Sequence, residues 1–166
     1  MANEVYYKAR PDVEPLFMSN GLTYLFVGVM SLAASACAAS ERQRELAAWF
    51  ASRDQAVYGC GIVGFDLSDL PWLRDTFESD RDFVLRAVDQ AKARLGWERL
   101  PYEPNEEMIQ PCLDHFRAMV EALQVEHACM ATEEWSYGGR PTAFERCPVH
   151  GVYRHSHGCP LCNDAA

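Results

Sequence analysis

Residues 15–40 read PLFMSNGLTYLFVGVMSLAASACAAS, a stretch without a single charged side chain. Its reading decides the fold, because it fits a secretory leader, a membrane span or a buried core helix. The end, Ala33-Ala34-Ser35-Ala36-Cys37, imitates a lipoprotein or signal cleavage site. The flank before it, however, mixes Lys8 and Arg10 with Glu4, Asp12 and Glu14, and a lipobox would place a large aliphatic where Ala34 stands. Roughly 20 apolar residues suffice to span a bilayer, but Ser, Thr, Asn and Ala dilute this run. Leu22 to Ala39 is therefore read as a central buried helix, and the protein as cytoplasmic and not membrane-bound. The small side chains in its second half let neighbouring elements pack close.

Helical signals continue outward from this segment. Ser40 and Gln43 form a capping box, followed by an apolar stripe of Leu46, Ala47, Phe50 and Ala51 that ends near Asp54. A helix from about Asp80 to Leu95 places Phe83, Val84, Ala87, Val88, Ala91 and Leu95 on one face, with Asp80 and Asp82 at its positive end and Gly96 to stop it. Asn105 caps a further helix with Glu106 and Glu107 in its first turn. Ile109, Cys112, Leu113, Phe116, Met119, Val120 and Leu123 form its buried stripe, and Pro111 is placed to bend it. Between these helices, residues 57–70 are glycine-punctuated, with one short extended piece expected around Ile62–Phe65. The expected fold is mainly α: a bundle-like helical domain over residues 1–135, then a linker and a small C-terminal zinc-knuckle module over 136–166.

The tail carries an internal repeat, Cys147-Pro148-Val149-His150-Gly151 against Cys159-Pro160-Leu161-Cys162-Asn163. Two ligands three apart clasp one metal only if the chain turns tightly between them. Proline pre-sets such a turn, and Gly151 and Asn163 permit a positive φ after it. Two knuckles supply Cys147, His150, Cys159 and Cys162, a complete tetrahedral set for zinc. His155 or His157 is a rival for the place of His150. The total of 7 cysteines is odd, which argues against a fully paired disulfide framework and for a reducing compartment.

The repeat resembles the knuckles of zinc ribbons and rubredoxin-like domains, with His150 replacing the usual second cysteine of the first knuckle. The resemblance covers only residues 147–163. It implies a structural zinc ion and nothing about activity.

A chain of 166 residues with 49% apolar and 23% charged residues has the makings of an ordinary packed core. The net charge of −9 sits in the middle of the chain, where residues 65–134 hold sixteen acids and seven bases. Such a surface keeps a protein soluble, repels phosphate backbones and steers basic partners toward itself. The expectation is a non-enzymatic protein-binding or inhibitory (immunity-like) module with a basic protein partner. One alternative is a nucleic-acid adaptor using the mildly basic tail, with Arg140, Arg146, Arg154, His155 and His157. The other is a cysteine-dependent enzyme in which His115 or His127 activates Cys60.

Further motifs are weaker. Gly59-Cys60-Gly61-Ile62-Val63-Gly64 matches the dinucleotide fingerprint literally, but that motif needs a strand before it and a helix after it. Cys112 belongs to a helix core, and His127-Ala128-Cys129 lacks a mate for a second metal site. The adjacent pairs Glu106–Glu107 and Glu133–Glu134 point too far apart to share a proton. Trp135 and Tyr137 fit an exposed contact patch or the packing between modules.

Overall fold

A computed structural model describes residues 2–128, 135 and 137–164. A little over half of the chain is helical, with one small sheet. The charge-free stretch divides at Asn20. Its first part forms strand β2 (Leu16–Ser19) and the rest forms helix α1 (Asn20–Cys37), with the Ser19 hydroxyl accepting from Leu22 N–H at the junction. Among the described residues α1 is long and apolar enough to cross a membrane, yet Leu25 through Ser35 are all buried within the fold. A helix apolar on every side needs cover on every side. α2 (Glu41–Ala51), α4 (Phe77–Lys92) and α5 (Glu106–Ala122) supply much of it. Phe26 meets Phe116 edge-on at 5.1 Å, and Trp49 meets Phe65 at 4.9 Å, so aromatic rings tie these helices to the sheet.

The sheet has the order β2–β1–β3, with β1 spanning Ala2–Tyr6 and β3 Phe65–Asp66. β1 runs antiparallel to β2 and parallel to β3. The extended piece expected around Ile62–Phe65 meets the sheet only at Phe65, the first residue of β3, and β1 and β2 were not expected. β1 escapes a reading by alternation because an inward position is occupied by Asn3, which donates to Thr23 Oγ1 and Gln55 Oε1 and accepts from Val63 N–H. With those bonds made, a polar side chain sits in the core at little cost. Gly64 lets β3 approach, since a Cβ there would collide with the Glu4 backbone.

Helix boundaries follow the capping signals with two shifts. Ser40 caps α2 by accepting from Gln43 N–H, while the Gln43 side chain accepts from Ala39 N–H rather than from Ser40. α4 begins at Phe77 instead of Asp80, because Asp80 is turned inward to Arg42 on α2, 2.9 Å away, and also accepts from Thr76. It ends at Lys92, where Arg94 adopts a φ of 67° ahead of Gly96. α4 and α5 lie antiparallel, cross-linked by the ion pairs Asp89–Arg117, Lys92–Asp114 and Arg94–Glu106. Two short helices, α3 (Gln55–Tyr58) and α6 (Val125–Ala128), fill the corners. Trp135 is buried in the main core together with Tyr153.

Candidate metal centre

The C-terminal segment lies along one stripe of α1. Gly28, Leu32 and Ser35 occupy the i, i+4, i+7 positions of that stripe. A Cβ on Gly28 would stand 3.2 Å from Leu161, and Leu32 packs with Val152, Leu161, Cys147 and Cys159. Ser35 accepts from Tyr153 N–H through its hydroxyl and from the Arg146 guanidinium through its carbonyl. The cysteines are thus carried on a segment that is itself anchored to the core.

Within that segment the ligating atoms of Cys147, His150, Cys159 and Cys162 all lie within 4.8 Å of one another, close enough to hold a metal ion. His150 Nδ1 stands 3.3 Å from Cys162 Sγ, 3.6 Å from Cys159 Sγ and 3.8 Å from Cys147 Sγ. Cys147 Sγ is 3.6 Å from Cys162 Sγ. Cys147 and Cys159 are buried, His150 is half-buried and Cys162 faces outward.

The two knuckles close differently. In the first, Gly151 takes a φ of 71° and its N–H reaches back to Cys147 O at 2.8 Å, as the glycine's place in the repeat implies. In the second, Pro160 opens the short helix α7 (Pro160–Asp164), and Asn163 N–H bonds to Cys159 O. Asn163 does not take the positive φ expected of it, which Arg94 alone shows among the described non-glycine residues. Helical continuation from a proline at the first position removes the need for it.

Both knuckles aim backbone N–H groups at sulfur. Burial pushes the Cys147 thiol up. The N–H groups of His150 and Val149, with the His150 and Cys162 side chains, outweigh it and hold that thiol at about 6. Burial dominates at Cys159, which is pushed up to about 12 despite N–H groups from Cys162 and Leu161, and burial also raises Cys162. A cation placed among these sulfurs would favour the thiolate at every one of them.

His155 and His157 sit elsewhere. His155 donates from Nε2 to Asp54 Oδ2 at 2.8 Å, and its Nδ1 accepts from His157 N–H at 3.0 Å. His157 Nδ1 lies 2.8 Å from the Tyr58 hydroxyl. Asp54 also accepts from Asn163 Nδ2 at 2.8 Å and from Ala56 N–H, capping α3. This buried carboxylate therefore ties the junction of α2 and α3 to the segment before the second knuckle, through His155, and to the knuckle's last residue, Asn163. Asp54 carried no motif in the sequence, since its partner histidine is 101 positions away.

The remaining candidates do not converge. Cys60 is exposed and its hydrogen-bond neighbour is the Tyr24 hydroxyl at 3.6 Å. His115 bonds to Glu14 O and His127 to the Tyr7 hydroxyl. The Gly59–Gly64 turn follows helix α3 and leads into β3, so it lacks the strand–turn–helix setting of a pyrophosphate loop. Cys112 is buried against Met18, its thiol pushed up to about 12 by burial. Tyr137 stacks on Tyr58, and the Arg53 guanidinium lies 5.0 Å from the Tyr137 ring and 4.5 Å from that of Trp49. Burial lowers Arg53 to about 10. Cys129, Glu133, Glu134 and Ser136 lie outside the described residues.

No protein-family model, curated protein or solved structure matches this chain.

Proposed function

We propose that the protein is a non-enzymatic binding protein, its C-terminal segment clasped by one structural zinc ion and its acidic surface engaging a basic protein partner in an inhibitory role. The observation that carries the zinc reading is the spacing of the four donors. With Zn–S near 2.3 Å and Zn–N near 2.0–2.1 Å, a regular tetrahedron has edges of roughly 3.8 Å between sulfurs and roughly 3.5 Å from sulfur to nitrogen. The separations of 3.6 Å between the Cys147 and Cys162 sulfurs and 3.3–3.8 Å from the sulfurs to His150 Nδ1 support that fit. Four protein ligands leave no position for water or substrate, so the ion holds structure and does no chemistry.

The partner reading rests on charge. Asp75, Asp82, Glu98, Glu103, Glu107 and Glu126 are exposed and, among the described residues, take part in no ion pair. Free carboxylates on one protein speed encounter with a basic one. The tail's cations are engaged internally: Arg140 pairs with Glu45, Arg154 with Glu145, and Arg146 lies over Tyr153. That commitment weighs against the nucleic-acid adaptor.

Native mass spectrometry tests the clasp, with one zinc per chain expected; bound iron or no metal would overturn it. For the partner, zinc-loaded protein should capture a basic protein from its host, with an association rate that falls steeply with salt. An equally steep salt dependence on RNA or DNA would overturn that reading.

A further inference from the structure

The outer face of the sheet is open among the described residues, and its register sets four side chains in a row. Glu4 lies opposite Phe17 across β1 and β2, and Tyr6 lies opposite Asp66 across β1 and β3. Val5, Leu16, Met18 and Phe65 take the inward positions, so Phe17, Glu4, Tyr6 and Asp66 point outward together. Phe17 is 62% exposed and Tyr6 37%. Asp69 joins the row by accepting from Asp66 N–H at 2.9 Å. Burial, with the charges of Asp69, Asp66 and Glu4, holds the Tyr6 hydroxyl above its ordinary value. Beside them runs a groove of about 330 Å³ lined by Tyr6, Tyr7, Pro11, Val13 and Pro15 together with the charged Glu4 and Lys8.

Two exposed aromatics flanked by carboxylates without ion pairs attract cations twice over, through ring faces and through charge. The groove adds an apolar wall for an aliphatic stem. A second copy of this chain is a poor occupant, because a two-fold interface would press Glu4, Asp66 and Asp69 against the same carboxylates. We infer that the outer sheet face docks an extended segment of a partner protein in which lysine or arginine alternates with an apolar side chain. This rests on the protein-binding reading above and gives it a location apart from Asp75, Asp82, Glu98, Glu103, Glu107 and Glu126.

The test is an NMR titration of the zinc-loaded full chain at low salt, using an acetylated, amidated hexapeptide of alternating lysine and leucine, with a glutamate–leucine peptide as control. Shifts should concentrate on Glu4, Tyr6, Phe17 and Asp66. Phe17→Ser should weaken binding about tenfold, as loss of an aromatic anchor does, and Glu4→Gln should weaken it by a smaller factor. Both positions are on the surface, and circular dichroism checks that the variants fold. Shifts confined to Glu98, Glu103 and Glu107, unchanged by Phe17→Ser, would overturn the sheet site while leaving the acidic-surface reading intact. No shifts anywhere would remove both. A dimer in light scattering that Phe17→Ser converts to monomer would assign the face to a second copy and overturn the partner.

Discussion

Asp54→Ala tests how the C-terminal segment is held. The carboxylate accepts from His155 Nε2, Asn163 Nδ2 and Ala56 N–H, and its side chain and that of His155 are essentially inaccessible. Removing it strands the His155 donor in the core, at about 1–3 kcal/mol for an unsatisfied buried group. The lost cap on α3 adds about 1 kcal/mol. Asn163 is half-buried and can turn to water, so its share is smaller. The total is about 2–4 kcal/mol by these terms, measured by urea denaturation of zinc-loaded protein. His155→Ala takes from Asp54 its histidine donor and leaves Asn163 and Ala56, and the double variant should cost less than the sum of the two, with a coupling of about 1–3 kcal/mol. Strict additivity, or an Asp54→Ala cost below about 1 kcal/mol, would refute the pairing.

Other expectations follow from the packing. Gly64→Ala should destabilise the protein by about 1–3 kcal/mol, because its Cβ meets the Glu4 backbone, which no rotamer change can move aside; thermal melting reads this. Leu161→Ala should cost about 2–5 kcal/mol, since Leu161 is buried against Gly28 and Leu32; an unchanged denaturation midpoint would contradict that contact. Cys60→Ser should leave stability within about 0.5 kcal/mol of the parent, as expected of an exposed side chain. Thiol-reactive probes should label Cys60 long before Cys112, and selective, very fast labelling of Cys60 at neutral pH would revive the cysteine-enzyme alternative.

The features legible in the sequence are those whose causes are local. Absence of charge over residues 15–40 and cysteines three apart around a proline each signal burial or metal from neighbours alone. What escaped notice depends on partners far along the chain. Asn3 interrupts the apolar alternation of β1, and only Thr23, Gln55 and Val63, far along the chain, satisfy it in the core. Asp80 reads as an acid at a helix start, whereas Arg42, 38 positions away, draws it inward. The place of Asn163 in the repeat implies a conformational role, whereas its side chain has a hydrogen-bonding one, because α7 continues as helix. Asp54 shows no pattern at all without His155.

The charge-free stretch and the cysteine–histidine tail are two halves of one solution. A helix as apolar as α1 leaves a stripe that α2, α4 and α5 do not cover, and Gly28, Leu32 and Ser35 lie where the tail crosses it. Val152 and Leu161 contribute about 1.5–3 kcal/mol each by burial, far less than the roughly 10–16 kcal/mol that a structural zinc supplies. On the zinc reading proposed above, a chain large enough to fold without metal would have a reason to use one: an ion bound by Cys147, His150, Cys159 and Cys162 would hold the lid over its most apolar helix. Stripping zinc with a chelator should then loosen the tail, raise binding of a hydrophobic dye and promote aggregation while most far-ultraviolet ellipticity persists. Zinc-free protein that stays monomeric and dye-silent would show that side-chain packing and the Asp54 network suffice to hold the tail, leaving zinc no part in covering α1.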